Sequence, residues 1–168
     1  MRFLRLLVLP LLGLSLLVAG GCASTSKKNY PVTVVRFLLE ATNDRDVGGV
    51  ALLPVSGVSI KVEPKAYFTE YDIENCEVVS NELGHGLAFR LTAAASRDLY
   101  KMSVPNQGKR IVTTVNGRPI GARRIDGAFS QGYIVTYVEV PAEELEALAK
   151  NITRTSTDLR KELENQKK

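Results

Sequence analysis

The stretch Gly86 to Ile125, GLAFRLTAAASRDLYKMSVPNQGKRIVTTVNGRPIGARRI, decides how this chain folds. Leu87, Phe89 and Leu91 alternate with Ala88, Arg90 and Thr92, the period of a half-buried strand. Thr92 has a side-chain oxygen able to accept from an unpaired backbone N–H, so it suits the N-cap of a helix. Ala93 to Met102 favour that helix and put Ala95, Leu99 and Met102 on one apolar side. Pro105, Asn106 and Gly108 then stop it. Lys109 to Val115 alternate again, and Asn116-Gly117 is a two-residue hairpin signal that tolerates positive φ.

Working outward, Pro31 to Glu40 reads as a first strand with Thr33, Val35, Phe37 and Leu39 on one face. Asn43 to Gly49 is a polar loop, and Ser56-Gly57 introduces a strand in which Val58, Ile60 and Val62 alternate with Ser59, Lys61 and Glu63. Thr69-x-x-Asp72 has the spacing of a capping box, so a short helical turn is expected there. Asn75 to Ser80 forms the next strand, and Gly84-His85-Gly86 is expected to turn the chain back into the opening stretch, with Val78 and Phe89 in the core. Gly127 to Gly132 is a loop, and Tyr133 to Val140 a last strand with Ile134, Val138 and Val140 inward. Pro141 fits the first helical position, and Glu143 and Glu144 favour the positive end of the helix dipole. Leu145, Leu148, Ala149 and Ile152 repeat at helical spacing; beyond Thr153 the apolar stripe thins, and the charged last dozen residues are expected to fray or project into solvent. The fold class expected is α+β: a mainly antiparallel sheet with two helices on one face.

The chain has 168 residues and 45% hydrophobic content, enough for one compact domain. Arg2 and Arg5 precede an apolar run from Leu6 to Val18, and Ala19-Gly20-Gly21 leads into Cys22. A basic start, an apolar run and small residues at the cut form a secretory leader, so residues 1–21 are expected to be removed. The cysteine after them resembles a bacterial lipobox, in which Cys22 carries palmitate and becomes the first residue. Residues 22–29 then act as a tether; Ala23 to Asn29 span at most about 25 Å when fully stretched. Ala23 after the cysteine suggests the periplasmic face of an outer membrane. Once Arg2 and Arg5 are gone the charge is nearly balanced, which leaves no nucleic-acid footprint. Cys76 is the remaining thiol, and its place in a strand beside Val78 makes it buried and inert.

No residue pattern names a reaction. His85 is the sole histidine and has no carboxylate orienter nearby in sequence; Ser96 and Ser130 lack the G-x-S-x-G context. One histidine and one mature cysteine do not make a familiar zinc site, and Gly-rich phosphate loops are absent, so no cofactor or metal is expected. Asn106-x-Gly108-Lys109 is a helix stop followed by an edge lysine rather than a ligand loop. Lys109, Arg110, Arg118, Arg123 and Arg124 gather around the second hairpin; on a shared face they would meet anionic lipid, cell-wall polymer or an acidic partner. The competing reading is a solvated edge that resists aggregation.

Leu91-Thr92, Asn106-Gln107-Gly108-Lys109, Ile111 to Val115, Asn116-Gly117, Gly121-Ala122, Gly132 and the helix start Pro141 to Glu144 follow one another in an order with a precedent. The order resembles the head part of the large periplasmic domain of SecD and SecF, membrane subunits of the bacterial protein-export machinery. The resemblance runs from Tyr30 to Asn151 and is most specific between Gly86 and Gly132. It implies a head-like domain over residues 30–152, with 153–168 as a charged helix extension or tail. It also implies a non-enzymatic envelope lipoprotein that binds another envelope or secretion-related protein, attached to the membrane through Cys22. A proton-coupled motor is not implied, because the resemblance covers the head alone. The alternative is an envelope hydrolase or transferase using His85 or a carboxylate cluster.

Overall fold

A computed structural model describes residues 28–82 and 84–166. The leader, Cys22 and most of the tether lie outside those residues. All strand pairings are antiparallel and two α-helices accompany them, so the fold is α+β. The strands are β1 (Val35–Glu40), β2 (Gly49–Leu52), β3 (Ser59–Phe68), β4 (Ile73–Asn81), β5 (Gly84–Leu91), β6 (Arg110–Val115), β7 (Arg118–Arg124) and β8 (Tyr133–Tyr137). The helices are α1 (Ala93–Ser103) and α2 (Ala142–Gln166). Where the sequence suggested one sheet, the strands divide into a five-stranded sheet, β2-β3-β1-β6-β7, and a three-stranded sheet, β4-β5-β8.

The opening stretch folds as its pattern dictates. Leu87, Phe89 and Leu91 are buried on β5. The Thr92 side chain accepts from Ala95 N at 3.3 Å, and Ala95, Leu99 and Met102 are the buried side of α1. Asn106 donates to Met102 O at 2.8 Å, and Gly108 at φ 87° takes the chain away from the helix. At the β6–β7 turn Asn116 and Gly117 have φ 48° and 79°, the paired positive values of a primed two-residue turn. β6 differs from expectation: its residues 111–114 are buried on both faces. Ile111 enters the main core, whereas Val112 joins Ala51, Ile60 and Val62 in a second cluster.

That second cluster exists because of β2, a strand that the sequence pattern does not announce. β2 pairs with the first half of β3, from Gly49 opposite Val62 to Leu52 opposite Ser59. β3 also runs further than its alternation suggested, past Pro64 to Phe68. Proline lacks the donor a ladder needs, and it sits where the β1–β3 register shifts between Leu38/Ala66 and Glu40/Val62. β1 begins at Val35 rather than Pro31, yet Thr33, Val35, Phe37 and Leu39 share the buried face as expected.

One core joins both sheets and both helices. Phe37 of β1 meets Phe89 of β5 edge-on, with ring centroids 5.0 Å apart and planes at 86°. Thr113 of β6 and Thr136 of β8, both fully buried, satisfy one another at 3.1 Å. Leu145, Ala149 and Ile152 of α2 close this core. The last strand was expected to run to Val140, but β8 ends at Tyr137. Val138 then bridges Gly121 of β7, and Glu139 N donates to Ile120 O at 2.7 Å, so the two sheets meet at that point.

One expectation is corrected outright. Gly84-His85-Gly86 is not a turn: these residues are the start of β5, with His85 opposite Ser80 and Gly84 opposite Asn81. The end of the chain stays helical to Gln166 and is exposed from Lys161 on, so it projects into solvent as a helix extension. α2 continues to Gln166 without a break across the expected 152/153 boundary, and Thr155 and Ser156 are fully buried. The missing apolar stripe misled because hydroxyls take its place. Thr155 Oγ1 accepts from Thr33 N at 2.9 Å, which turns a polar residue into a packing contact.

Candidate partner-binding surface

The basic residues around the second hairpin do not form one patch. Arg118 stands exposed at the tip of the β6–β7 hairpin, while Arg123 and Arg124 lie at its base, opposite Ile111 and Arg110. Five to six residues of strand separate the two ends, roughly 16–20 Å. Arg110 is committed to Glu40. Its backbone N and Nε both donate to Glu40 Oε2 at 2.9 Å, and Nη2 donates to Oε1. These Arg110 hydrogen bonds hold the Glu40 carboxyl below its ordinary range. Arg123 donates to Val135 O at 3.1 Å and lies 5.3 Å from the centre of the Phe129 ring. Arg124 is 3.7 Å from Asp126. Lys109 is half-buried beside Arg110. Arg118 is the cation of this set that stands free of the base cluster.

His85 and Ser80 face each other across β4 and β5, with Ser80 Oγ 3.0 Å from His85 Nδ1. Sequence reading missed this contact, since a turn at His85 would have pointed the ring elsewhere. Both side chains are exposed beside the turn of the β4–β5 hairpin, and no carboxylate hydrogen-bonds the ring among the contacts described. A hydroxyl–imidazole pair in water without an orienter or an oxyanion cradle is poorly equipped to act as a nucleophile. Cys76 is buried, and burial first, then the nearby Glu77 charge, pushes its thiol up to about 12. It therefore stays protonated and unreactive at neutral pH. Among the described residues no group of three or more His, Cys, Asp or Glu could hold a metal ion.

α2 governs the outer edge of the small sheet. Cys76 N on that edge donates to Thr153 Oγ1 at 3.0 Å, and a groove of about 900 Å³ runs on from there between Asn75–Val78 and Glu146, Lys150 and Arg154. Further along, α2 holds the segment that leaves the tether. Lys28 pairs with Glu162 at 3.3 Å, Tyr30 donates its hydroxyl to Asp158, and Arg154 lies 5.8 Å from the Tyr30 ring centre. Burial, then the Asp158 hydrogen bond, pushes the Tyr30 hydroxyl up to about 12.

Just before the helix starts, Glu139 reaches the tip of the β2–β3 hairpin. Its Oε2 accepts from Val55 N at 2.6 Å and Ser56 N at 3.0 Å. Burial pushes this carboxyl up, but the hydrogen bonds from Ser56 and Val55 outweigh it and hold it below its ordinary range.

Solved structures share this arrangement of sheets and helices, two of them as follows. One is described as "Structure and function of a membrane component SecDF that enhances protein export". It matches 72% of this chain and 62% of its own, with a TM-score of 0.56 and 16% identity. The other, a crystal structure of SecDF in super-membrane-facing form, matches 72% of this chain and 18% of its own, with a TM-score of 0.58 and 16% identity. The fold is that of a SecD/SecF head-like domain. The expectation drawn from Gly86 to Gly132 is borne out at the level of fold. This SecDF-like chain corresponds to less than two thirds of either chain it matches. No protein-family model matches it, and no curated protein sequence does. Among the described residues of the SecDF-like fold, no helix is long and apolar enough to cross a membrane.

Proposed function

We propose that this chain is a non-enzymatic lipoprotein of the cell envelope whose SecDF head-like domain binds protein in a process linked to export. The observation that carries the reading is the shared fold, with a protein described as enhancing protein export, over 72% of this chain. The sequence of the leader supports anchoring: a basic start, an apolar run and Ala19-Gly20-Gly21-Cys22. Lipidated Cys22 would hold the domain at the periplasmic face of the outer membrane. Of the five basic residues expected to touch a partner, Arg118 is the best placed. Lys109, Arg110, Arg123 and Arg124 sit at the hairpin base, where Glu40, Val135 O and Asp126 engage the three arginines. The envelope hydrolase or transferase gains nothing from the exposed Ser80–His85 pair.

The experiment is crosslinking of the tagged full chain in intact cells, followed by identification of the captured proteins, alongside palmitate labelling. Labelling is expected in the wild type and lost in Cys22→Ala. Export components or exported proteins are expected among the crosslinked species, and His85→Ala should leave their recovery unchanged. Recovery of no polypeptide above an unrelated lipoprotein control would overturn the protein-binding reading. Labelling that survives Cys22→Ala would overturn the anchor.

A further inference from the structure

The two sheets end in four outer strands, β2, β7, β4 and β8, and three of them are dealt with. β7 and β8 meet each other through the Gly121–Val138 bridge and the Glu139–Ile120 hydrogen bond. β4 is flanked by α2, with Thr153 on its backbone. β2 is paired on one side by β3 and, among the described residues, on the other by no strand. Leu53 N donates to Val58 O, and from that rung the alternation points Ala51 and Gly49 at β3. Val50 and Leu52 therefore direct their N–H and C=O groups outward.

Apart from its shortness, the edge carries few of the usual protections. Natural edge strands are blunted by charge, proline or a bulge. Between Asp46 and Lys61 no residue is charged, and Pro54 lies beyond the strand. The side chains of Val50 and Leu52 are apolar and 62% and 60% exposed, and Val55 at the hairpin tip is 80% exposed. Glu139 holds that tip through the backbone N–H groups of Val55 and Ser56. A cleft of about 250 Å³ lies beside the strand, lined by Gly48–Ala51, by Val62 and Pro64 of β3, and by Thr114 and Pro119.

The geometry points to β2 as the docking edge for an extended, uncharged, apolar segment of a partner polypeptide, added as one more strand. This inference rests on the protein-binding reading above and names the site and the class of segment. Backbone groups of Val50 and Leu52 supply the ladder, and their side chains meet apolar ones on the outer face. The lack of charge along the edge selects a segment without charge, because a charged one would lose solvation for no partner. A second copy is the poorer occupant. A four-residue strand offers few ladder bonds, and a stable dimer buries about 1,200–2,000 Å² in total. A short edge suits brief capture of an extended chain.

The test uses the full chain purified in detergent and a fluorescent peptide of alternating valine and threonine flanked by lysines. Saturable binding is expected. It should weaken at least tenfold when alternate peptide nitrogens are methylated, since methylation removes the ladder donors and keeps the side chains. It should weaken equally in the double variant Val50→Lys, Leu52→Lys, whose circular dichroism melt should match the wild type because both sites are exposed. Binding that survives either change overturns the proposal, and so does the absence of saturable binding. Concentration-dependent dimerisation lost in the double variant, without peptide binding, assigns the edge to a second copy and overturns it too. A photo-crosslinker at position 52 separates this inference from the reading it rests on. If whole-protein crosslinking captures a polypeptide in cells and position 52 captures none, the domain binds protein elsewhere and the β2 site falls.

Discussion

Gly121 is the point at which the two sheets touch, and replacing it with alanine tests whether that junction holds the fold together. A Cβ at Gly121 would stand 2.3 Å from Tyr137 O and 3.0 Å from Thr136 Cγ2. The nearer atom is backbone, so no rotamer change relieves the clash. β7 and β8 must separate by about 1 Å to restore ordinary contact, at a cost in the range of overpacking, about 1–3 kcal/mol. That separation also strains the Glu139 N–Ile120 O bond, at 2.7 Å the shortest backbone contact of the junction, worth about 0.5–1.5 kcal/mol. Together these give about 2–4 kcal/mol. At about 3–5 °C per kcal/mol for a domain of this size, the melting temperature should fall by roughly 6–20 °C. Circular dichroism melting measures this, and hydrogen exchange should show faster exchange at Val55 and Ser56, whose N–H groups bond Glu139. Gly127→Ala is the control, because a Cβ there meets nothing within 4 Å. A melt of Gly121→Ala within 2 °C of wild type, or equal to Gly127→Ala, would refute the reasoning.

Gly117→Val should destabilise by about 1–3 kcal/mol, since Gly117 holds φ 79° with open space around its Cα and backbone strain is then the main cost; an unchanged urea midpoint would count against it. Glu40→Gln tests the Arg110 pair. The Glu40 pKa is depressed in the folded state, so its contribution is present above the unfolded value and is lost as pH falls through the folded one. The variant should melt below wild type at pH 7, and the gap should close between about pH 5 and pH 3; a gap that stays constant to pH 3 refutes the pairing argument. Cys76 should resist Ellman's reagent at pH 8 and react once urea unfolds the chain; prompt labelling with native circular dichroism would mean that the thiol is accessible.

Local chemistry made the opening stretch legible. Thr92, Asn106, Gly108 and Asn116-Gly117 act through their own backbone or the next turn, so sequence spacing is enough to place them. The long-range choices were not legible in the same way. β2 is a short run of small and apolar residues without alternation, and it becomes a strand only because β3 is there to pair with it. β6 reads as half-buried, yet it is covered on its second face by residues far away in sequence, Ala51 and Ile60. The C-terminal half of α2 looked weak because propensity counts threonine against a helix. Thr153 and Thr155 instead accept backbone donors from β4 and from the segment before β1. The basic cluster is the same lesson at the surface. Charge counts along Lys109 to Arg124 say nothing of Glu40, which lies on β1 and takes up Arg110.

The length of α2 sets where these features stand relative to the tether. Lys28 is fixed to Glu162 near one end, and Glu139, just before the other end, holds the β2–β3 tip. From Ala142 to Glu162 the helix rises about 30 Å. With lipid on Cys22, the six residues to Lys28 reach at most about 20 Å, so the C-terminal half of α2 stays close to the bilayer. Shortening the hold on the tether changes that geometry in a defined way. Without the Thr33–Thr155 and Lys28–Glu162 contacts, the chain from 28 to 34 would lengthen the leash, and the hairpin would lose its fixed direction from the membrane. The hydroxyl-rich half of α2, weak by helix propensity, is therefore the part that holds the segment before β1.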